Sequence, residues 1–221
     1  MTLQTIEVTS TDTPAASVIV LHGLGADGSD FLSFADEVDL SAVGPVRWVL
    51  PRAPVRPVTI NNGYPMRAWY DILAADLVRR EDEAGLRDAV QQVHDLIDRE
   101  IARGVPARRI VLAGFSQGCA ITLMAGLRHP QRLAGLAGLS GYLPLADRTA
   151  VEAAPANRDV PIFQAHGRQD GVVVMPRGTA ARDLLLGLGY AVEWHEYPME
   201  HSVCIEEVRA LESFVCRVLA A

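Results

Sequence analysis

The five residues Gly114-Phe115-Ser116-Gln117-Gly118 place a serine midway between two glycines, directly after an apolar run. A serine hydroxyl is a weak nucleophile until a neighbouring base takes its proton. G-x-S-x-G spacing suits a sharp strand-to-helix turn. Side chains two positions before and after the serine would collide with nearby backbone, and the strained turn lifts the hydroxyl clear of the sheet. The flanks agree, since RRIVLAGF reads as a strand and Gln117 to Arg128 as a helix. The expected chemistry is attack on a carbonyl carbon, which calls for a histidine base and a carboxylate to orient it.

In α/β-hydrolase sites built on such a turn, an aspartate or glutamate follows the serine along the chain and the histidine comes last. His129, His166, His195 and His201 lie downstream of Ser116. His129 precedes Pro130 at the end of the helix and is expected on the surface, pointing away. His166 ends a strand and is expected to support the next loop. His195 sits inside a strand pattern, where alternate positions face away from any cleft. His201 follows YPME, between the last strand and the last helix, and is the expected base. Among the aspartates, Asp147 and Asp159 lie in polar loops and Asp183 in a helix pattern. Only Asp170 directly follows a strand end, in FQAHGRQDG, so it is the expected acid; the competing role is a turn-forming aspartate before Gly171.

A second glycine pattern, Gly23-Leu24-Gly25-Ala26-Asp27-Gly28, has two readings. It satisfies G-x-G-x-x-G after a strand, the fingerprint of a dinucleotide site. Against that, the helix begins only at Ser29 or Asp30. The second strand also ends in VLPRAP, with no acidic residue for a ribose hydroxyl, although Arg52 could meet a 2′-phosphate. In the other reading the loop supplies an oxyanion hole, with the Leu24 N–H as one donor and the Gln117 N–H as the other. His22 is then expected to hold the loop by hydrogen bonds.

Short apolar runs must position these groups. SVIVLHG, VRWVLPRAP, RRIVLAGF, LAGLAGLS, VPIFQAHG and VEWHEYP read as strands. Helices are expected over SDFLSFADEV, Glu83 to Arg103, Gln117 to Arg128, Pro176 to Leu188 and Val203 to Leu219. In the second of these, Leu86, Val90, Val93, Ile97 and Ile101 recur every three or four residues. Apolar strands alternating with helices predict an α/β fold with a mostly parallel sheet covered on both faces, as one domain over residues 1–221. Pro51 to Asp82 reads as an irregular connection, long enough to be functional, and carries Tyr64, Trp69 and Tyr70. It is expected to form either a cleft wall or a satellite core.

Composition narrows the function. With 49% hydrophobic and 21% charged residues the chain is globular, and a net charge of −7 argues against nucleic acid or an anionic membrane as partner. The only adjacent arginine pairs, Arg79–Arg80 and Arg108–Arg109, are far apart. Cys119, Cys204 and Cys216 are odd in number without C-x-x-C spacing, as expected of free thiols packed in a reducing compartment. No segment reads as a secretory signal or membrane span, so a soluble cytoplasmic protein without stable membrane insertion is expected.

Together, LHGLGADG, RPVTINNGYPMRAWYDI, RIVLAGFSQG, AHGRQD and WHEYPMEHSV, in this order from Leu21 to Val203, resemble the carboxylesterase and acyl-protein thioesterase family of small α/β-hydrolases, in particular its bacterial carboxylesterases. The resemblance implies the α/β-hydrolase fold, Ser116, Asp170 and His201 as triad, and Leu24 and Gln117 as oxyanion donors. It also implies hydrolysis of short- to medium-chain esters or thioesters without metal or cofactor and, in some members, a homodimer. The chain departs from the family pattern at Cys119, at Glu200 beside His201, and in DGVVVMP. A non-catalytic binding module of the same fold is the alternative from another class, but such a module usually lacks a triad member and none is missing here.

Overall fold

The computed structural model describes residues 3–74 and 80–220. In chain order its strands are β1 (Thr5–Val8), β2 (Ala16–Leu21), β3 (Val46–Pro51), β4 (Val55–Val58), β5 (Tyr64–Arg67), β6 (Ile110–Phe115), β7 (Gly135–Leu139), β8 (Ile162–Gly167) and β9 (Val192–Tyr197). The helices are α1 (Leu32–Glu37), α2 (Glu83–Ala102), α3 (Gln117–Arg128), α4 (Thr149–Glu152), α5 (Met175–Gly187) and α6 (Ile205–Ala220).

Seven strands form one sheet in the order β1-β3-β2-β6-β7-β8-β9, parallel throughout except for the edge strand β1. Side chains alternate across it with the period of two that extended backbone dictates. On β2, Ile19 and Leu21 join a core built with α2, α3 and α5, whereas Val18 and Val20 join a second core built with α1 and α6. Burial on both faces is why these strands read as unbroken apolar runs and not as alternating ones.

Three expectations are corrected. The stretch from Pro51 to Asp82 is not simply irregular, because β4 and β5 pair as an antiparallel hairpin, turned at Asn62 and Gly63 with positive φ. Residues 75–79 of that stretch, including Arg79 of the Arg79–Arg80 pair, lie outside the described residues. The edge strand β1 and the single turn α4 were not expected at all. His129 is fully buried, not on the surface: the Asn157 side chain donates to its carbonyl (2.7 Å), and its own ring nitrogen accepts the Gln131 amide (3.2 Å).

No described helix is long and apolar enough to cross a membrane.

Candidate active site

The turn between β6 and α3 carries the strain its spacing predicts. Ser116 has φ 56° and ψ −117°, a region costly for any residue with a Cβ. Crowding explains the two glycines. A Cβ on Gly118 would lie 2.1 Å from the Leu21 carbonyl oxygen, and one on Gly114 would lie 2.4 Å from the Gly118 oxygen. Both obstacles are backbone, so neither can move aside.

The structure brings Ser116, Asp170 and His201 together from three separate strand ends. The Ser116 hydroxyl donates to His201 Nε2 (2.8 Å), and His201 Nδ1–H donates to Asp170 Oδ2 (2.7 Å). The other carboxylate oxygen of Asp170 accepts the amides of Val172 and Val173, each at 2.8 Å. Asp170 is 6% exposed and Ser116 8%, so the relay is sheltered yet reachable. The Phe115 ring lies 4.7 Å from the His201 ring, centre to centre, and limits its rotation.

The remaining downstream histidines fall into place. His166 is buried, and its Nε2–H donates to the Val173 carbonyl (2.7 Å), so it fixes the loop whose amides hold Asp170. Burial keeps its pKa below the ordinary value. His195 turns to the other face, stacked on Phe163 and bonded to Glu193 at 2.9 Å. The other aspartates pair with arginines on the surface, Asp147 with Arg148, Asp159 with Arg132 and Asp183 with Arg182.

The glycine loop after β2 abuts Ser116, since a Cβ on Gly23 would meet the Ser116 Cβ at 3.3 Å. Among the described residues the Leu24 N–H has no internal acceptor, and Gln117 opens α3, where the first amides have no helical partner. His22 holds the loop: its Nδ1–H donates to the Gly23 carbonyl (2.7 Å) and its Nε2 accepts the Ala53 amide (3.0 Å). Burial lowers its pKa and keeps it neutral, as this pair of bonds requires. The dinucleotide reading loses its supports. Gly28 is packed against the Leu50 backbone, and Arg52 is engaged with Asp27 at 3.0 Å.

One set of positioning contacts leaves no mark in the sequence motifs. The Gln117 side chain accepts the Trp69 amide (2.8 Å) and donates to the Tyr70 carbonyl (2.9 Å), while Trp69 Nε1–H donates to the His22 carbonyl (2.8 Å). Trp69 and Tyr70 are therefore buried positioning residues that clamp the elbow to the glycine loop. Tyr64, on the hairpin, is 67% exposed. The aromatic density of the segment was the visible signal; its division of labour was not.

Two cavities flank the site. One, of about 480 Å³, reaches Ser116, His201 and Leu24 between α1 and the start of α6. A larger one, of about 840 Å³, is walled by Tyr142, Leu145, Val174 and Arg177 and touches none of the three triad side chains. Cys119 packs into the space left by Gly138 and Gly141, and burial pushes its thiol up to about 12. Cys216 is half-buried on α6. Cys204, expected on the last helix, instead precedes it, half-buried in the wall of the smaller cavity.

Glu207, in the first turn of α6, is wholly buried, and neither carboxylate oxygen has a hydrogen-bond partner in the structure. Burial pushes its pKa from 4.5 up to about 8. The folded chain thus keeps a proton that the unfolded chain releases, so stability falls as pH rises from about 4.5 to 8. We expect Glu207→Gln to flatten that decline and to stabilise the fold at pH 8 by on the order of 2–4 kcal/mol, read from urea midpoints at pH 5 and 8.

Comparison with known proteins agrees with this architecture. The family model described as phospholipase/carboxylesterase matches residues 3–219. Acyl-protein thioesterase 1 of Neurospora crassa is 44% identical over 209 residues, covering 90% of this chain and 85% of that protein. Its namesake from Mycosarcoma maydis is 41% identical, covering 94% and 93%. Among solved structures, Arabidopsis thaliana SOBER1 superposes with a TM-score of 0.87 at 33% identity, over 92% of this chain and 99% of that one. Zea mays acyl-protein thioesterase 2 gives 0.85 at 28% identity, over 98% and 99%. With a family match spanning nearly its whole length and a sheet that superposes on theirs, this chain belongs to the phospholipase/carboxylesterase family of α/β-hydrolases and is an ester-cleaving serine hydrolase.

Proposed function

We propose that the enzyme hydrolyses short- to medium-chain carboxylic esters and acyl thioesters through an acyl-Ser116 intermediate. The observation that carries this reading is the unbroken Ser116–His201–Asp170 hydrogen-bond chain opening on a cavity beside the Leu24 amide. Neutral His201 takes the Ser116 proton as Oγ attacks the carbonyl carbon, and Asp170 stabilises the imidazolium that forms. The Leu24 and Gln117 N–H groups receive the negative oxygen; one such donor is typically worth about 100- to 1000-fold in turnover. His201 then hands its proton to the departing alcohol or thiol, and water repeats the sequence on the acyl-enzyme.

The names of the thioesterase relatives support the thioester half of this reading. Three free cysteines fit a reducing, cytoplasmic compartment. A homodimer is the partner state carried over from the family resemblance, and light scattering decides it.

A fluorophosphonate should label Ser116 alone, and a chain-length series of p-nitrophenyl esters with matched thioesters should show turnover of both classes. Labelling at another residue, or none in folded protein, would refute the assignment.

A further inference from the structure

The smaller cavity has a chemistry of its own. Its apolar wall is Phe31, Phe34, Phe115 and Val208, and its rim carries the exposed carboxylates Asp30 and Glu37. Asp30 turns one oxygen back to the Asp27 amide (2.9 Å), and among the described residues neither carboxylate is in an ion pair. The chain has 20 lysine and arginine side chains, every one an arginine, and none of the described ones lines this cavity.

Reaction geometry says which half of a substrate this space receives. In the tetrahedral intermediate the oxyanion faces the Leu24 and Gln117 amides, and the departing oxygen or sulfur must lie against His201 Nε2, which returns the proton. Beyond His201 the wall is made by Val203, Cys204 and Ile205, so the path leaving Nε2 runs into this cavity and on towards its rim. We propose that it is the leaving-group subsite, selecting alcohols and thiols that are apolar next to the reacting atom and neutral or cationic, not anionic, farther out. This rests on the ester-hydrolase reading above.

The test uses butyrates of three benzyl alcohols of similar bulk, bearing a para trimethylammonium, tert-butyl or sulfonate group. At low salt, kcat/KM for the cation should exceed that for the anion by about tenfold, with the neutral ester between them. The gap should narrow at about 0.5 M salt, as expected for exposed charges. A combined Asp30→Asn and Glu37→Gln variant should bring cation and anion within about twofold. Filling the mouth from exposed positions, by Ser33→Trp or separately by Ile205→Trp, should lower the benzyl-to-methyl butyrate ratio about tenfold. The ratio of octanoate to acetate methyl esters should not follow it.

Equal rates for the three benzyl esters would overturn the charge selection. A change in the acyl-length ratio, with the benzyl-to-methyl ratio fixed, would make the cavity an acyl site and overturn the assignment. Failure of the hydrolase reading looks different: Ser116 would resist fluorophosphonate and no ester would turn over.

Discussion

Replacing Ser116 by alanine should lower p-nitrophenyl butyrate turnover by about 10⁴- to 10⁶-fold while leaving the urea midpoint nearly unchanged. The expected loss is large because, in the proposed mechanism, the hydroxyl is the only group of the three that bonds to the substrate carbon; His201 and Asp170 act through it. Some rate above background should survive from the Leu24 and Gln117 amides. Ser116→Gly sharpens the test. Activity should be lost equally, but glycine relaxes at φ 56°, so the fold should gain about 1 kcal/mol, strain relief outweighing the extra freedom of the unfolded chain. Turnover within tenfold of the parent in either variant would remove Ser116 from the mechanism.

The second large effect concerns Asp170→Asn, a change of almost no volume. The oxygen held by the Val172 and Val173 amides must remain an acceptor, so the asparagine oxygen takes that place. Its NH₂ then faces His201 Nδ1, where Oδ2 had accepted the Nδ1–H hydrogen bond. A donor there favours the tautomer with hydrogen on Nε2, and such an imidazole cannot accept from Ser116. Turnover should fall about 10⁴-fold, the loss known for the same change in serine proteases, with secondary structure intact by circular dichroism. A loss below tenfold would show that the orientation of His201 does not depend on this carboxylate.

The sheet, and the meeting of Ser116, Asp170 and His201, were legible because each rests on local pattern. Apolar runs mark β6, β8 and β9, and Ser116, Asp170 and His201 each follow one of them closely, in a chain order that few alternatives satisfy. The hairpin was not legible. Pro57 in β4 and Pro65 in β5 sit opposite each other, and a residue without an N–H reads as an interruption of a strand. Burial of His129 depends on Asn157, and the Gln117 clamp joins residues 47 and 48 positions apart. Such partners leave no periodicity to read. The acidic rim and apolar wall of the smaller cavity come from residues 30–37, Phe115 and Val208, far apart in the chain, and so were equally invisible.

The clamp at Gln117 has a consequence for how activity can be lost. It ties residues 69 and 70 to the elbow, and the His201 ring that bonds Ser116 comes from 85 positions farther along the chain. A fragment ending before residue 201 lacks not only the base but also Val203, Cys204, Ile205 and Val208, one whole side of the smaller cavity. Ester cleavage therefore reports that segments well over a hundred positions apart, around Trp69 and His201, have both docked against Ser116 and its helix.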